Sequence, residues 1–86
     1  MNKTDFINEV AKRKGVSSRR AYREVNDVMD TLRVILSSGD RVELRSTLVQ
    51  LGGFGTFEVL TDLRGERIIA FNASKVLKQT INLNRE

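Results

Sequence analysis

Six cations fall within twelve residues, Lys12-Arg13-Lys14 followed by Arg19, Arg20 and Arg23. Cations at this density suit a polyanion, because ammonium and guanidinium groups pair directly with phosphate oxygens. Three of the six have an ordinary local cause. Lys12 to Lys14 end a helical segment and complement the negative end of its dipole. Arg19 and Arg20 open the next segment, where positive charge is unfavourable, so they point to phosphate or to an acidic partner. Other chemistries are closed off. The chain has no cysteine and no histidine, which excludes disulfides, thiolate chemistry, zinc-finger ligand sets and histidine acid–base catalysis. No nucleophile–base pair or metal constellation is visible, so the expectation is a protein that is not an enzyme and takes no cofactor.

The net charge of +4 is unevenly spread over the 86 residues. Residues 1–23 carry +5, with Lys3 joining the six cations above against Asp5 and Glu9; residues 24–66 carry −4; residues 67–86 carry +3, from Arg67, Lys75, Lys78 and Arg85 against Glu86. Two basic ends around an acidic middle suggest a polyanion surface built from the termini. A length of 86 residues implies one domain, and a chain this short is marginal alone and gains stability by oligomerising. With 40% hydrophobic and 30% charged residues, it reads as soluble, folded and intracellular, with no membrane segment or signal peptide expected.

The elements that must position these cations follow from periodicity. Thr4 is the expected N-cap of a helix over Asp5–Lys14, with Phe6, Ile7, Val10 and Ala11 as its apolar stripe and Gly15 closing it. Ser17 or Ser18 caps a second helix in which Ala21, Val25, Val28, Met29, Leu32, Ile35 and Leu36 recur at steps of three and four up to Gly39. A helix of about 20 residues is long for so small a domain and must find a partner surface beyond the first helix. Val25, Val28, Met29 and Leu32 are therefore expected in a dimer core. Strand-like runs follow at Arg41–Leu44 or Leu48–Leu51, at Thr56–Leu60 and at Arg67–Phe71. Glycines on both sides of Phe54 imply a sharp bend that pushes an aromatic into a core, so Phe54 and Phe57 are read as packing residues of the dimer core rather than base-stacking ones. Leu63-Arg64-Gly65-Glu66 reads as a tight turn. A last helix runs over Ala73–Asn82, with Asn72 as cap and Val76, Leu77, Thr80 and Ile81 inward.

Met1-Asn2-Lys3-Thr4, Phe6-Ile7, Gly15-Val16-Ser17, Gly39-Asp40-Arg41-Val42 and above all Gly53-Phe54-Gly55-Thr56-Phe57-Glu58-Val59 resemble the bacterial HU and integration host factor family, as does Ala70-Phe71-Asn72-Ala73-Ser74-Lys75-Val76-Leu77-Lys78. The resemblance covers about three-quarters of the chain. It implies an α+β fold of order α-α-β-β-β-α in an intertwined dimer, with a helical base, a three-stranded sheet from each subunit forming a saddle, and DNA in the saddle. Within a single domain over 1–86, residues 1–38 would form the dimerisation base, 41–71 the sheet and 72–83 the last helix. Lys3, Lys75 and Lys78 match positions flanking DNA, and Arg67 would retain part of the saddle's charge.

Two departures bear on function. The family extends its second and third strands into a long Lys/Arg-rich arm tipped by an Asn-Pro pair, which wraps the minor groove and wedges between base steps. Here only eight residues separate Val59 from Ile68, and the chain has no proline. Four residues per strand project only ~13 Å, too little to embrace a duplex about 20 Å across. Leu60 and Asp62 also stand where arginines are usual, and about seven residues are inserted around Arg45–Leu51.

The resulting expectation is an arm-deficient HU-like homodimer, nucleoid-associated in the cytoplasm. It would bind double-stranded DNA without sequence specificity through phosphate contacts, with little or no intercalative bending. The alternative is a protein–protein module that keeps the fold but not DNA binding and modulates an armed HU-type subunit by heterodimerisation. A helix-turn-helix over residues 4–36 is rejected as the primary mode, because the second helix is too long and too apolar to lie in a major groove.

Overall fold

The computed structural model describes residues 1–45 and 53–83. Among these residues, three helices and three strands follow one another as α1 (Lys3–Lys14), α2 (Ser18–Ser37), β1 (Val42–Arg45), β2 (Gly53–Thr61), β3 (Arg67–Ala73) and α3 (Lys75–Leu83). The order is the expected α-α-β-β-β-α. The chain divides into two compact units, Met1–Arg33 and Val34–Glu86.

In the first unit, α1 begins two residues earlier than the sequence suggests. Its N-cap is Asn2 rather than Thr4. The Asn2 side chain accepts from the Asp5 amide at 2.9 Å and the Asp5 carboxylate accepts from the Asn2 amide at 3.2 Å. This reciprocal capping box satisfies two otherwise orphaned N–H groups, which Thr4 would not do without a matching acid three residues on. Gly15 closes α1 in the left-handed region at φ 67°. The Ser17 hydroxyl accepts from the Arg20 amide at 3.1 Å, so of the two candidate serines Ser17 caps α2. Ile7 and Ala11 of α1 form a buried cluster with Ala21 and Val25 of α2, flanked by Val10 and Val16. Small residues at 11 and 21 let the two helices approach closely. Lys3 Nζ to Asn26 Oδ1 at 2.6 Å and Ser18 Oγ to Asn8 Oδ1 at 3.3 Å stitch the pair at its two ends.

In the second unit, β1-β2-β3 form one antiparallel sheet in that order. Val42–Arg45 pairs with β2 and so resolves the choice of first strand in favour of the earlier run; Leu48–Leu51 and most of the inserted stretch lie outside the described residues. Leu44 faces Gly55 and Arg45 faces Gly53, which leaves Phe54 as the extra residue of a β-bulge. The bend expected at Gly53-Phe54-Gly55 is therefore a kink within a continuous strand. The register places Val42, Leu44, Phe57, Val59, Ile69 and Phe71 on one face and Glu43, Thr56, Glu58, Leu60 and Ile68 on the other. The bulge brings Phe54 to the apolar side, where its ring centroid lies 5.3 Å from that of Phe71, and Phe57 lies 4.7 Å from the same ring.

The β2–β3 hairpin ends where Thr61 faces Arg67. The Gly65 amide donates to the Asp62 carbonyl at 3.0 Å and the Asp62 amide to the Glu66 carbonyl at 2.8 Å. Gly65 sits at φ 85°, the left-handed position that follows a type I turn in short hairpins. The Asp62 carboxylate accepts from the amides of Arg64 and Glu66, both at 2.9 Å. It is a turn-forming residue. β3 runs on through Asn72, which faces Thr56, so Asn72 cannot cap the last helix. Ser74 does so instead: its Oγ accepts from the Leu77 amide at 3.0 Å and donates to the Gly53 carbonyl at 2.6 Å. On α3, Val76 and Leu77 are half-buried, whereas Thr80 and Ile81, expected inward, are exposed within the single chain.

Gly55 explains the glycine–aromatic motif. A Cβ at this position would lie 2.5 Å from both the Asn72 carbonyl oxygen and the Phe71 ring, so the aromatic packs directly on backbone. Gly55→Ala should lower stability by about 2 kcal/mol or more, seen as a fall in Tm of ~10 °C. Gly65→Ala, whose Cβ would meet open space, should cost only the left-handed penalty of about 1–2 kcal/mol. Equal effects of the two substitutions in thermal unfolding would refute the close-packing account.

Candidate nucleic-acid interface

The cations singled out by sequence fall into separate groups. Lys12, Arg13 and Lys14 occupy the last turn of α1, and Arg19, Arg20 and Arg23 the first two turns of α2. The packing of Ala11 against Ala21 holds these turns side by side. Lys3 belongs at the far end of α1, ~15 Å along its axis. There it is bonded to Asn26, with its ammonium 6.0 Å from the Tyr22 ring centroid. In the second unit, Arg67 starts β3 with its guanidinium against Gly39, where an added Cβ would come within 2.8 Å of Nη2. Lys75 opens α3 and Lys78 lies one turn on, both exposed.

Within the α1–α2 group, three cations are held internally. Arg13 Nε lies 2.9 Å from Glu9 Oε1. Lys14 Nζ lies 2.6 Å from Glu24 Oε2 and Arg20 Nε 2.9 Å from Glu24 Oε1. These two hydrogen-bonded cations, Lys14 first and Arg20 second, hold the Glu24 carboxyl below the ordinary glutamate range. Arg20 thus has an internal partner for its position against the helix dipole, and the need for an external one rests on Arg19. Lys12, Arg19 and Arg23 form no ion pair among the described residues. Arg19 and Arg23 are one turn apart on the side of α2 away from buried Ala21 and Val25, so both face solvent. Glu24 was not found from sequence, although its place four residues after Arg20 was the available signal. Its second partner, Lys14, comes from the other helix and had no sequence signal.

On the polar face of the sheet one cation meets two acids. Arg41 reaches Glu43 at 2.5 Å and Glu58 at 3.5 Å. Of the proposed dimer-core residues, Val25 is buried and Leu32 and Phe57 half-buried, while Val28 is 62%, Met29 40% and Phe54 51% exposed in the single chain. No His/Cys/Asp/Glu group able to hold a metal ion occurs among the described residues, nor any helix long and apolar enough to cross a membrane.

The family model described as "Bacterial DNA-binding protein" matches residues 1–67. The chain belongs to that family, the HU proteins. It is 32% identical to the SPbeta prophage-derived DNA-binding protein HU 2 of Bacillus subtilis over 96 aligned positions, covering 94% of this chain and 97% of that protein. With the DNA-binding protein HU of Geobacillus stearothermophilus, identity is again 32%, over 94% of this chain and 99% of the relative. The solved HU structure from Thermotoga maritima superposes with a TM-score of 0.72 at 28% identity, covering 94% and 98% of the two chains. HU proteins are structural DNA-binding proteins rather than enzymes.

The depressed Glu24 carboxyl makes a pH prediction. Its pKa is lower folded than unfolded, so its pairs add stability above the unfolded value of about 4.5, and that contribution is lost as pH falls through the folded value. The urea midpoint of the wild type should exceed that of Glu24→Gln at neutral pH. The two should converge below about pH 4.5; a gap that persists unchanged to pH 2 would contradict the assignment.

Proposed function

We propose that this HU-family chain is a nucleoid-associated, cytoplasmic protein that binds duplex DNA without sequence specificity and with little intercalative bending. The observation that carries the reading is the α1–α2 cation group, in which Lys12, Arg19 and Arg23 are exposed and form no ion pair among the described residues. Arg13, Lys14 and Arg20 flank them, and Lys3, Arg67, Lys75 and Lys78 extend the same chemistry to other surfaces. The short hairpin supports the absence of wrapping arms. Its pairing ends at Thr61 and Arg67, and an alignment of 96 positions to an 86-residue chain leaves at least ten with no residue here. No apolar wedge on a long arm remains to unstack base steps.

A homodimer is proposed on packing grounds. The buried apolar residues among those described are Ile7, Ala11, Ala21 and Val25, too few to stabilise a chain of this size. Val28, Met29 and Phe54 leave the apolar surface that a second copy would cover. A second reading is favoured by one observation: Arg41 is engaged by Glu43 and Glu58, so the sheet's polar face carries no surplus positive charge. On that reading the chain pairs with an armed HU-type subunit as a modulator. Native mass spectrometry should give a dimer for the chain alone. Mixed with an armed relative, failure to form any exchanged dimer would sink the modulator reading.

Duplex binding is tested by titrating a labelled 30-base-pair DNA across salt concentrations. If six to eight phosphates are neutralised per dimer, the log–log slope should be about −5 to −7, and charge reversal at Arg13, Arg19 and Arg20 together should abolish binding near physiological salt. A slope near −1, or a variant that binds as well as the wild type, would count against it.

A further inference from the structure

We propose that Glu24 is an internal competitor for phosphate, its carboxylate filling a two-cation anion site made by Lys14 and Arg20. This rests on the duplex-binding reading and adds a determinant of its strength. Each carboxylate oxygen takes one cation, Oε2 from Lys14 at 2.6 Å and Oε1 from Arg20 at 2.9 Å. Two non-bridging oxygens of a backbone phosphate present the same chemistry to the same two donors. The donors come from different helices, the end of α1 and the first turn of α2, and the Ile7–Ala11–Ala21–Val25 cluster keeps them in register. The site therefore exists before any ligand arrives.

The surroundings favour an anion from outside. The first turn of α2 holds no acidic residue, so the positive end of the helix dipole adds to Arg19 and Arg20. Lys14, Arg20 and Glu24 have side chains 50%, 59% and 35% exposed. Ion pairs at this exposure are weak and open to exchange. When DNA is near, Glu24 holds two cations back from it. Its removal releases both.

The test measures duplex affinity and its salt dependence for the full chain, with Glu24→Gln, Glu24→Asp and Asp27→Asn beside the wild type. Asp27 lies on the same helix and has no ion pair among the described residues, so Asp27→Asn makes the same charge change without freeing a cation. Glu24→Gln should bind roughly tenfold more tightly at low salt, with a slope steeper by about 1 per chain, one phosphate for each vacated site. Asp27→Asn should leave the slope unchanged, and Glu24→Asp, its carboxylate drawn back by one methylene, should fall between. Adding Lys14→Gln and Arg20→Gln to Glu24→Gln should erase the gain. If the wild type binds and Glu24→Gln matches Asp27→Asn, the competitor role is overturned while duplex binding stands. If neither the wild type nor Glu24→Gln binds at low salt, both readings fall.

Discussion

The approach of the Phe71 ring to the backbone at Gly55 is the contact on which the second unit depends. A strand with a side chain at position 55 could not sit under that ring. Once it does, Phe57 faces Phe71 across the β2–β3 ladder, and the bulge at Phe54 brings a third ring to the same side. The Phe54 carbonyl then accepts from the Ser74 amide at 3.0 Å, while the Gly53 carbonyl accepts from the Ser74 hydroxyl. The start of α3 is tied to the bulge by two bonds from one residue. Close packing, strand register and helix placement are thus one constraint expressed three ways.

The charges obey a different logic. Residues 24–66 carry an excess of acid, yet much of it is spent on neighbouring cations: Glu24 on Lys14 and Arg20, Asp30 on Arg33, Glu43 and Glu58 on Arg41. Asp62 is spent on amides of its own turn. The basic N-terminal segment is likewise partly neutralised from within. Counting formal charge along the chain therefore overstates the field at the α1–α2 turn, and the cations there with no acid partner among the described residues matter more than the total.

Several features were legible in the sequence because their causes are local. The element order, the Gly15 stop, the Gly65 turn and the short hairpin follow from residue types within a few positions of each other. The helix caps were less legible. Thr4 and Asn72 are good capping residues by type, but Asn2 wins where Asp5 can answer it, and Asn72 is drawn into the sheet opposite Thr56. Capping depends on which polar group the backbone brings within reach, and type alone does not say.

The sequence by itself determined the family, the α-α-β-β-β-α order and the density of cations around the α1–α2 turn, since each is a matter of pattern along the chain. The tertiary structure decided which of those cations are free. Arg20 and Glu24 share one helix, but Lys14 reaches Glu24 from another, across ten positions of sequence. Likewise, Gly55 is required by a ring sixteen residues away that folds back onto it. Both outcomes depend on distances between elements, which the packing of side chains sets and no local pattern encodes.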